Sequence, residues 1–340
     1  MANARRSLFS GLCSSVLSRG KIVVAVLVKM KRPAILLALA ALCGGAGIAL
    51  QSRGLRAQGA PVQTGPITSL LGRVLMPRPS NASVDSAKYL LTKQPNDVGT
   101  LVATGQAYDG VWQFGESIGL YSKALTIAPK DARSLSFRGQ RYLSTRQFDR
   151  AIADLEIARK LSPQSFHSLY HLGLAYYYVG RYAEAASTFG QCADVAPRTA
   201  APSLLSSSVA HCDDLHDGLR FALASWRSAA LMRAGRMGEA KTVLEKLPTS
   251  SATVPEGRWY IDAVDIARGR KADTLWSSVQ VNGGGVLTIG YALANLSIVR
   301  GDSAKGCRIL RELVSREEWP GFGYIGAEVD LSRGRCNGVK

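Results

Sequence analysis

Along the middle of the chain, apolar and small residues recur with helical spacing, and that pattern is itself repeated at a longer interval. Prolines stand at positions 95, 129, 163 and 197, each 34 residues after the last. Setting each proline at position 32 of a unit aligns three full repeats, 98–131, 132–165 and 166–199. Position 4 is then Leu101, Leu135 and Leu169, position 8 Gly105, Gly139 and Gly173, and position 11 Tyr108, Tyr142 and Tyr176. Position 20 is Ser117, Ala151 and Ala185, position 24 Tyr121, Leu155 and Phe189, and position 27 Ala124, Ala158 and Cys192. Small residues at 8, 20 and 27 let two antiparallel helices approach closely. The bulky residues at 11 and 24 are expected to fill the space between successive units. Each proline ends one helix and stands near the start of the next. The pattern predicts a helical hairpin per repeat, and no alternating strand pattern competes with it.

This pattern resembles the tetratricopeptide repeat, a helix–turn–helix unit of the same length. Thr104 and Arg138 depart from it at position 7, where Leu172 keeps the usual leucine. The resemblance implies an all-α superhelix, a solenoid of stacked hairpins that bury a continuous core only together. It also implies protein–protein interaction and no substrate chemistry. In such a solenoid the first helix of each unit lines a concave face. Here that face comprises Gln106, Arg133, Phe137, Gln140, His167, Tyr170, His171, Leu174 and Tyr177. Aromatic and arginine side chains supply most hot-spot energy at interfaces, so these residues are expected to hold an extended peptide or a partner helix.

The regular repeats are expected over 83–199, beginning with the second helix of an earlier unit at Ser83–Gln94. Residues 58–82, rich in Pro and Gly around an apolar patch at Ile67–Leu75, read as a linker. The period breaks in an insertion over 200–218. Degenerate hairpins resume over 219–340, with turns at Gly235-Arg236, Gly269-Arg270 and Gly301-Asp302 and a capping helix near Gly323–Ser332.

The formal charge of +17 suggests a nucleic-acid footprint only until the chain is divided. Nine basic residues (Arg5, Arg6, Arg19, Lys21, Lys29, Lys31, Arg32, Arg53 and Arg56) stand in 1–57, where there is no acid. The rest is mildly basic, without a basic run, and no nucleic-acid partner is expected. Within 1–57, Lys31-Arg32 precedes the apolar stretch Ala34–Leu50, and Ala57 follows at a tolerable cleavage point. This is the layout of an export signal, either cleaved or retained as an inner-membrane anchor through residues 34–50. A start at Met30 would give it an ordinary basic head, so residues 1–29 are expected to precede the true start. The expected location is periplasmic or secreted. Cys192, Cys212, Cys307 and Cys336 follow the signal, and an even count in an exported chain permits two disulfides in any of three pairings.

Catalytic signatures are weak. No nucleophile elbow appears, and Asn282-Gly283-Gly284-Gly285 lacks the lysine and hydroxyl of a phosphate loop. The expectation is a non-enzymatic scaffold of the cell envelope without a cofactor. The alternative is an envelope enzyme or enzyme subunit with a metal site at His211-Cys212-Asp213-Asp214-Leu215-His216-Asp217, where ligand types are dense.

Overall fold

The computed structural model describes residues 66–196, 210–248, 258–270, 272–282 and 285–339, all within one compact unit. The expected export segment and most of the 200–218 insertion lie outside the described residues. Among the described residues a two-stranded antiparallel hairpin, β1 (Ile67–Thr68) and β2 (Val74–Leu75), precedes an all-helical body. Its first helices are α1 (Ala82–Lys93), α2 (Val98–Gly110), α3 (Phe114–Ile127), α4 (Ala132–Ser144), α5 (Phe148–Leu161), α6 (Phe166–Tyr178) and α7 (Tyr182–Ala193). There follow α8 (Asp217–Arg233), α9 (Met237–Glu245), α10 (Arg258–Ala267), α11 (Ala272–Asn282), α12 (Val286–Val299), α13 (Ser303–Val314) and α14 (Phe322–Ser332).

The prolines work one step earlier than a first helical residue. Two residues after Pro95, Pro129 and Pro163 come Asp97, Asp131 and Ser165, and these are the N-caps of α2, α4 and α6. Each cap side chain accepts the amide of the third helical residue, Thr100, Ser134 or Ser168. The cap satisfies a donor that the first turn leaves open, and the proline holds the entering chain extended. Within each hairpin the glycine at position 8 lies under the bulky residue at position 24. A Cβ on Gly105 would come within 2.5 Å of the Tyr121 ring, and one on Gly173 within 2.5 Å of the Phe189 ring. Ala185, fully buried in α7, is equally confined. Ala185→Leu is therefore expected to destabilise the fold by about 1–3 kcal/mol in chemical denaturation, whereas the same exchange at exposed Ala183 should be neutral.

Hairpin stacking continues across the irregular region. Helix α7 packs on α8, α8 on α9, α10 and α12, and α12 on α13 and α14. The turns at Gly180, Gly235, Gly269 and Gly301 all take positive φ. Two disulfides fasten the later elements. Cys192–Cys212 ties α7 to the segment entering α8, and Cys307–Cys336 ties α13 to the tail after α14. Just before α8, Ala210 and Cys212 exchange backbone hydrogen bonds with Phe166 and Gln164.

The C-terminal elements turn back onto the regular repeats. Helix α14 and the segment before it meet the turns between paired helices at positions 112, 146 and 180, one repeat apart. Trp112 packs edge-on against Trp319 at 5.8 Å. Arg146 pairs with Glu328 at 2.7 Å and donates to the Trp319 carbonyl at 3.1 Å. Arg333 donates to the Tyr178 carbonyl beside Gly180. Trp112 and Arg146 hold φ of 61° and 62°, a conformation that favours glycine, and both side chains are used in this closure.

The N-terminal hairpin joins the same seam, so the structured part of the expected linker starts before residue 82. Leu75 is buried with Phe114, Trp319 and Tyr324, the Leu70 amide donates to Glu328 Oε1 at 2.6 Å, and Trp319 Nε1 donates to the Met76 carbonyl at 2.8 Å. The apolar patch Ile67–Leu75 meets Trp319, Tyr324 and Glu328 from the far end of the chain, a relation that local composition does not carry.

Candidate partner-binding site

Residues one repeat apart occupy equivalent places on α2, α4 and α6. Gln106 and Gln140 form one such pair, Phe137 and His171 another, and Arg133 and His167 a third. Helical spacing brings Gln106 and Asp109, then Phe137, Gln140 and Arg141, then Phe166, His167, Tyr170 and His171 to a common cavity of about 410 Å³. Its far wall is not part of the regular repeats. Leu219 and Ala222 of α8, Tyr260 of α10 and Phe322 of α14 close it.

The polar groups of the wall are tightly arranged. His167 Nε2 donates to Gln140 Oε1 at 3.0 Å, and its Nδ1 accepts from the Ser136 hydroxyl at 2.8 Å. His171 Nδ1 donates to the His167 carbonyl at 2.7 Å, which leaves Nε2 of the neutral ring as an acceptor. That Nε2 makes no hydrogen bond among the described residues. Burial holds both imidazoles neutral. His167 is pushed well below the ordinary histidine value by burial and by His171, and His171 is lowered to about 3, mainly by burial. The Tyr170 hydroxyl meets the Tyr260 hydroxyl at 2.9 Å, and the Tyr170 ring lies edge-on to Phe322 at 5.9 Å.

Arg141, on the cavity wall, keeps a buried nitrogen without a hydrogen bond. Its guanidinium lies over the Phe114 ring at 4.7 Å, with Nε 3.6 Å from Asp109 Oδ1, and none of its nitrogens makes a hydrogen bond among the described residues. Asp109 Oδ2 accepts the Tyr121 hydroxyl at 2.6 Å. Burial raises the Asp109 carboxyl above the usual carboxylate range, and the Arg141 charge pulls against that rise. Buried donors of this kind are nearly always paired, so the free edge of Arg141 is a ready point for an acceptor entering the cavity.

Of the residues expected on an open concave face, Phe137, Gln140, His167, Tyr170 and His171 line the cavity, with exposed Gln106 also on its wall. Arg133 lines a neighbouring cavity of about 310 Å³ with Ser136, Ser165 and His211. Leu174 and Tyr177 need correction as partner contacts, because they are core residues. Leu174 is fully buried, and the Tyr177 hydroxyl donates to Asn295 at 3.3 Å and accepts from Tyr291 at 3.1 Å. The concave face is shorter than a lone run of repeats would leave it, because α8 and α14 pack on α6 and Tyr291 and Asn295 of α12 meet Tyr177 at its far end. Arg141 is absent from the sequence-based set, although a signal for it exists. The equivalent positions one repeat away are Ala107 and Ala175, so an arginine there breaks a small-residue pattern.

The insertion offers a weaker case for chemistry. Cys212 is bound in a disulfide, which removes its thiolate as a ligand, and no group of three or more His, Cys, Asp or Glu suited to a metal occurs among the described residues.

Residues 113–192 match the family described as anaphase-promoting complex, cyclosome, subunit 3. No curated protein matches the sequence. Among solved structures, a tetratricopeptide repeat protein from Parabacteroides merdae ATCC 43184 is similar with 14% identity over 74% of this chain and 91% of that one, at a TM-score of 0.45. MamA of AMB-1 is similar with 19% identity over 49% of this chain and 94% of that one, at a TM-score of 0.34. The regular repeats are stacked helical hairpins, the form that the tetratricopeptide pattern takes.

Proposed function

We propose that this solenoid is an exported, non-enzymatic scaffold of the cell envelope that holds a short segment of a partner protein at the cavity between α2, α4 and α6. The observation that carries the reading is Arg141, buried beside a cavity with its guanidinium ion-paired at 3.6 Å to Asp109 and its Nε making no hydrogen bond among the described residues. An acidic side chain of the partner fits that guanidinium, with Phe137 and Tyr170 providing apolar contact and Gln106, Gln140 and the His171 acceptor contacting peptide groups. The wall formed by Tyr260 and Phe322 limits the bound segment to a few residues. The repeats are already packed, so ordering costs fall mainly on the partner.

Export is part of the proposal. It is supported by the basic–apolar start of the sequence and by two cysteine pairs positioned to bridge, an arrangement suited to an oxidising compartment. No helix among the described residues is long and apolar enough to cross a membrane.

Panning a random peptide library on the purified chain tests the site. Enriched peptides are expected to share an acidic position next to an apolar one. They should lose about tenfold in affinity with Gln106→Glu, which adds a like charge beside the acid, and with Arg141→Lys, which keeps the charge but removes the planar fork. Peptides that bind both variants as tightly as the parent would overturn the assignment. Tyr170 and His171 are poorer probes, because truncating them also removes packing against Phe322.

A further inference from the structure

On the other side of Tyr260 and Phe322 lies a second cavity, of about 370 Å³, that the peptide-binding proposal does not use. Its wall includes Trp226, Trp259, Tyr260 and Phe322, together with Thr288 and Glu318, and no basic side chain among the described residues lines it. We propose that this cavity binds a small soluble quaternary-ammonium compound, with the alkylated nitrogen among the four aromatic side chains and its charge balanced by Glu318.

Three observations carry this assignment. The first is Trp259, which is 41% exposed, an unusual state for the largest apolar side chain. It is held by backbone rather than by the core. A Cβ on Gly285 would come within 2.3 Å of the indole, and Gly285 itself has a φ of 71°. Gly285 thus gives the ring a flat seat at the rim of the cavity.

The second is Glu318. Its carboxylate is exposed, makes no ion pair or hydrogen bond among the described residues, and follows another acid, Glu317. An unpaired acid beside aromatic rings and away from any lining cation favours a positive guest.

The third is the scarcity of side-chain acceptors. A primary ammonium carries three N–H donors and needs partners for them when it leaves water. Here only Glu318 and Thr288 are available, because the Tyr260 hydroxyl is engaged with Tyr170 at 2.9 Å. A quaternary ammonium has no donor to satisfy and is held by π faces and charge alone.

Isothermal titration of the full chain with choline, tetramethylammonium and the uncharged isostere dimethylbutanol tests the proposal. Saturable binding of both cations is expected, with the alcohol at least about tenfold weaker. Trp259→Ala should weaken choline binding about tenfold, Trp259→Phe should restore most of it, and Glu318→Gln should weaken it about fivefold. These substitutions sit at exposed positions, and an unchanged circular dichroism spectrum checks that the fold is kept. Absence of saturable cation binding, equal affinity for the alcohol, or parental affinity in both Trp259→Ala and Glu318→Gln would overturn the proposal. Vesicles of phosphatidylcholine form a separate arm: retention on them that free choline fails to displace would contradict a soluble ligand.

Discussion

Lowering the pH from about 7.5 to about 5 is expected to remove a large part of the folding stability, through the two buried histidines. In the unfolded chain His167 and His171 titrate near the ordinary histidine value of 6.5, whereas folding keeps them neutral to much lower pH, to about 3 for His171. Their contribution is complete above pH 6.5 and falls as the unfolded chain takes up protons that the folded one refuses. The loss runs from pH 6.5 down to about 3 for His171. At about pH 5 it amounts to about 2 kcal/mol for His171, and His167 adds to it in the same direction. Asp109 and Asp154 act in the opposite sense, because burial raises both, and their protonation on acidification relieves a cost. The net loss is therefore smaller than the sum of the two histidines. Urea titrations across this pH range are expected to show the decline, and His171→Asn, which keeps a donor for the His167 carbonyl, should flatten it. The same pH dependence in the parent and in His171→Asn would show that the His171 imidazole is not held neutral by burial.

The second large effect is expected at the seam. Glu328 is fully buried, and its carboxylate takes a charge-assisted hydrogen bond from Arg146 and another from the Leu70 amide. Glu328→Ala leaves a buried guanidinium without its counter-charge and a backbone donor without its acceptor. A loss of about 3–5 kcal/mol in chemical denaturation is expected. Replacing both members, Arg146→Met with Glu328→Leu, should recover much of that loss, since two apolar groups leave no charge stranded. If the single and double variants are equally damaged, the cost comes from packing rather than from an orphaned charge.

The two halves of this molecule differ in how far the sequence reveals them. A fixed interval of 34 residues, with glycine beneath a bulky partner and a proline before each cap, is local information. It suffices to place α2 to α7 as hairpins. The row of aromatic and imidazole residues on α4 and α6 is legible for the same reason, since helical spacing assigns Phe137, Gln140, His167, Tyr170 and His171 to one face. What covers that face is not local. The pairings of Arg146 with Glu328, of Tyr170 with Tyr260 and of Tyr177 with Asn295 join residues about 90 to 180 positions apart. Nothing in the spacing around any one of these residues announces the other. An open solenoid would leave Leu174 and Tyr177 facing solvent, whereas the returning helices make them core. The same closure leaves Arg141 at the end of a bounded cavity instead of along an open groove. Its contrast with Ala107 and Ala175 is visible in sequence, but the meaning of that contrast depends on the helices that return.

A double-mutant cycle across Arg146 and Glu328 tests most directly whether the C-terminal helix closes onto the repeats. These residues lie 182 positions apart and meet only if α14 returns to the turn between α4 and α5. A favourable coupling of about 2 kcal/mol or more is expected from denaturation of the two single variants, the double variant and the parent. Additive single effects, with no coupling between the two positions, would mean that the repeats stand open and that the bounded cavity around Arg141 does not form.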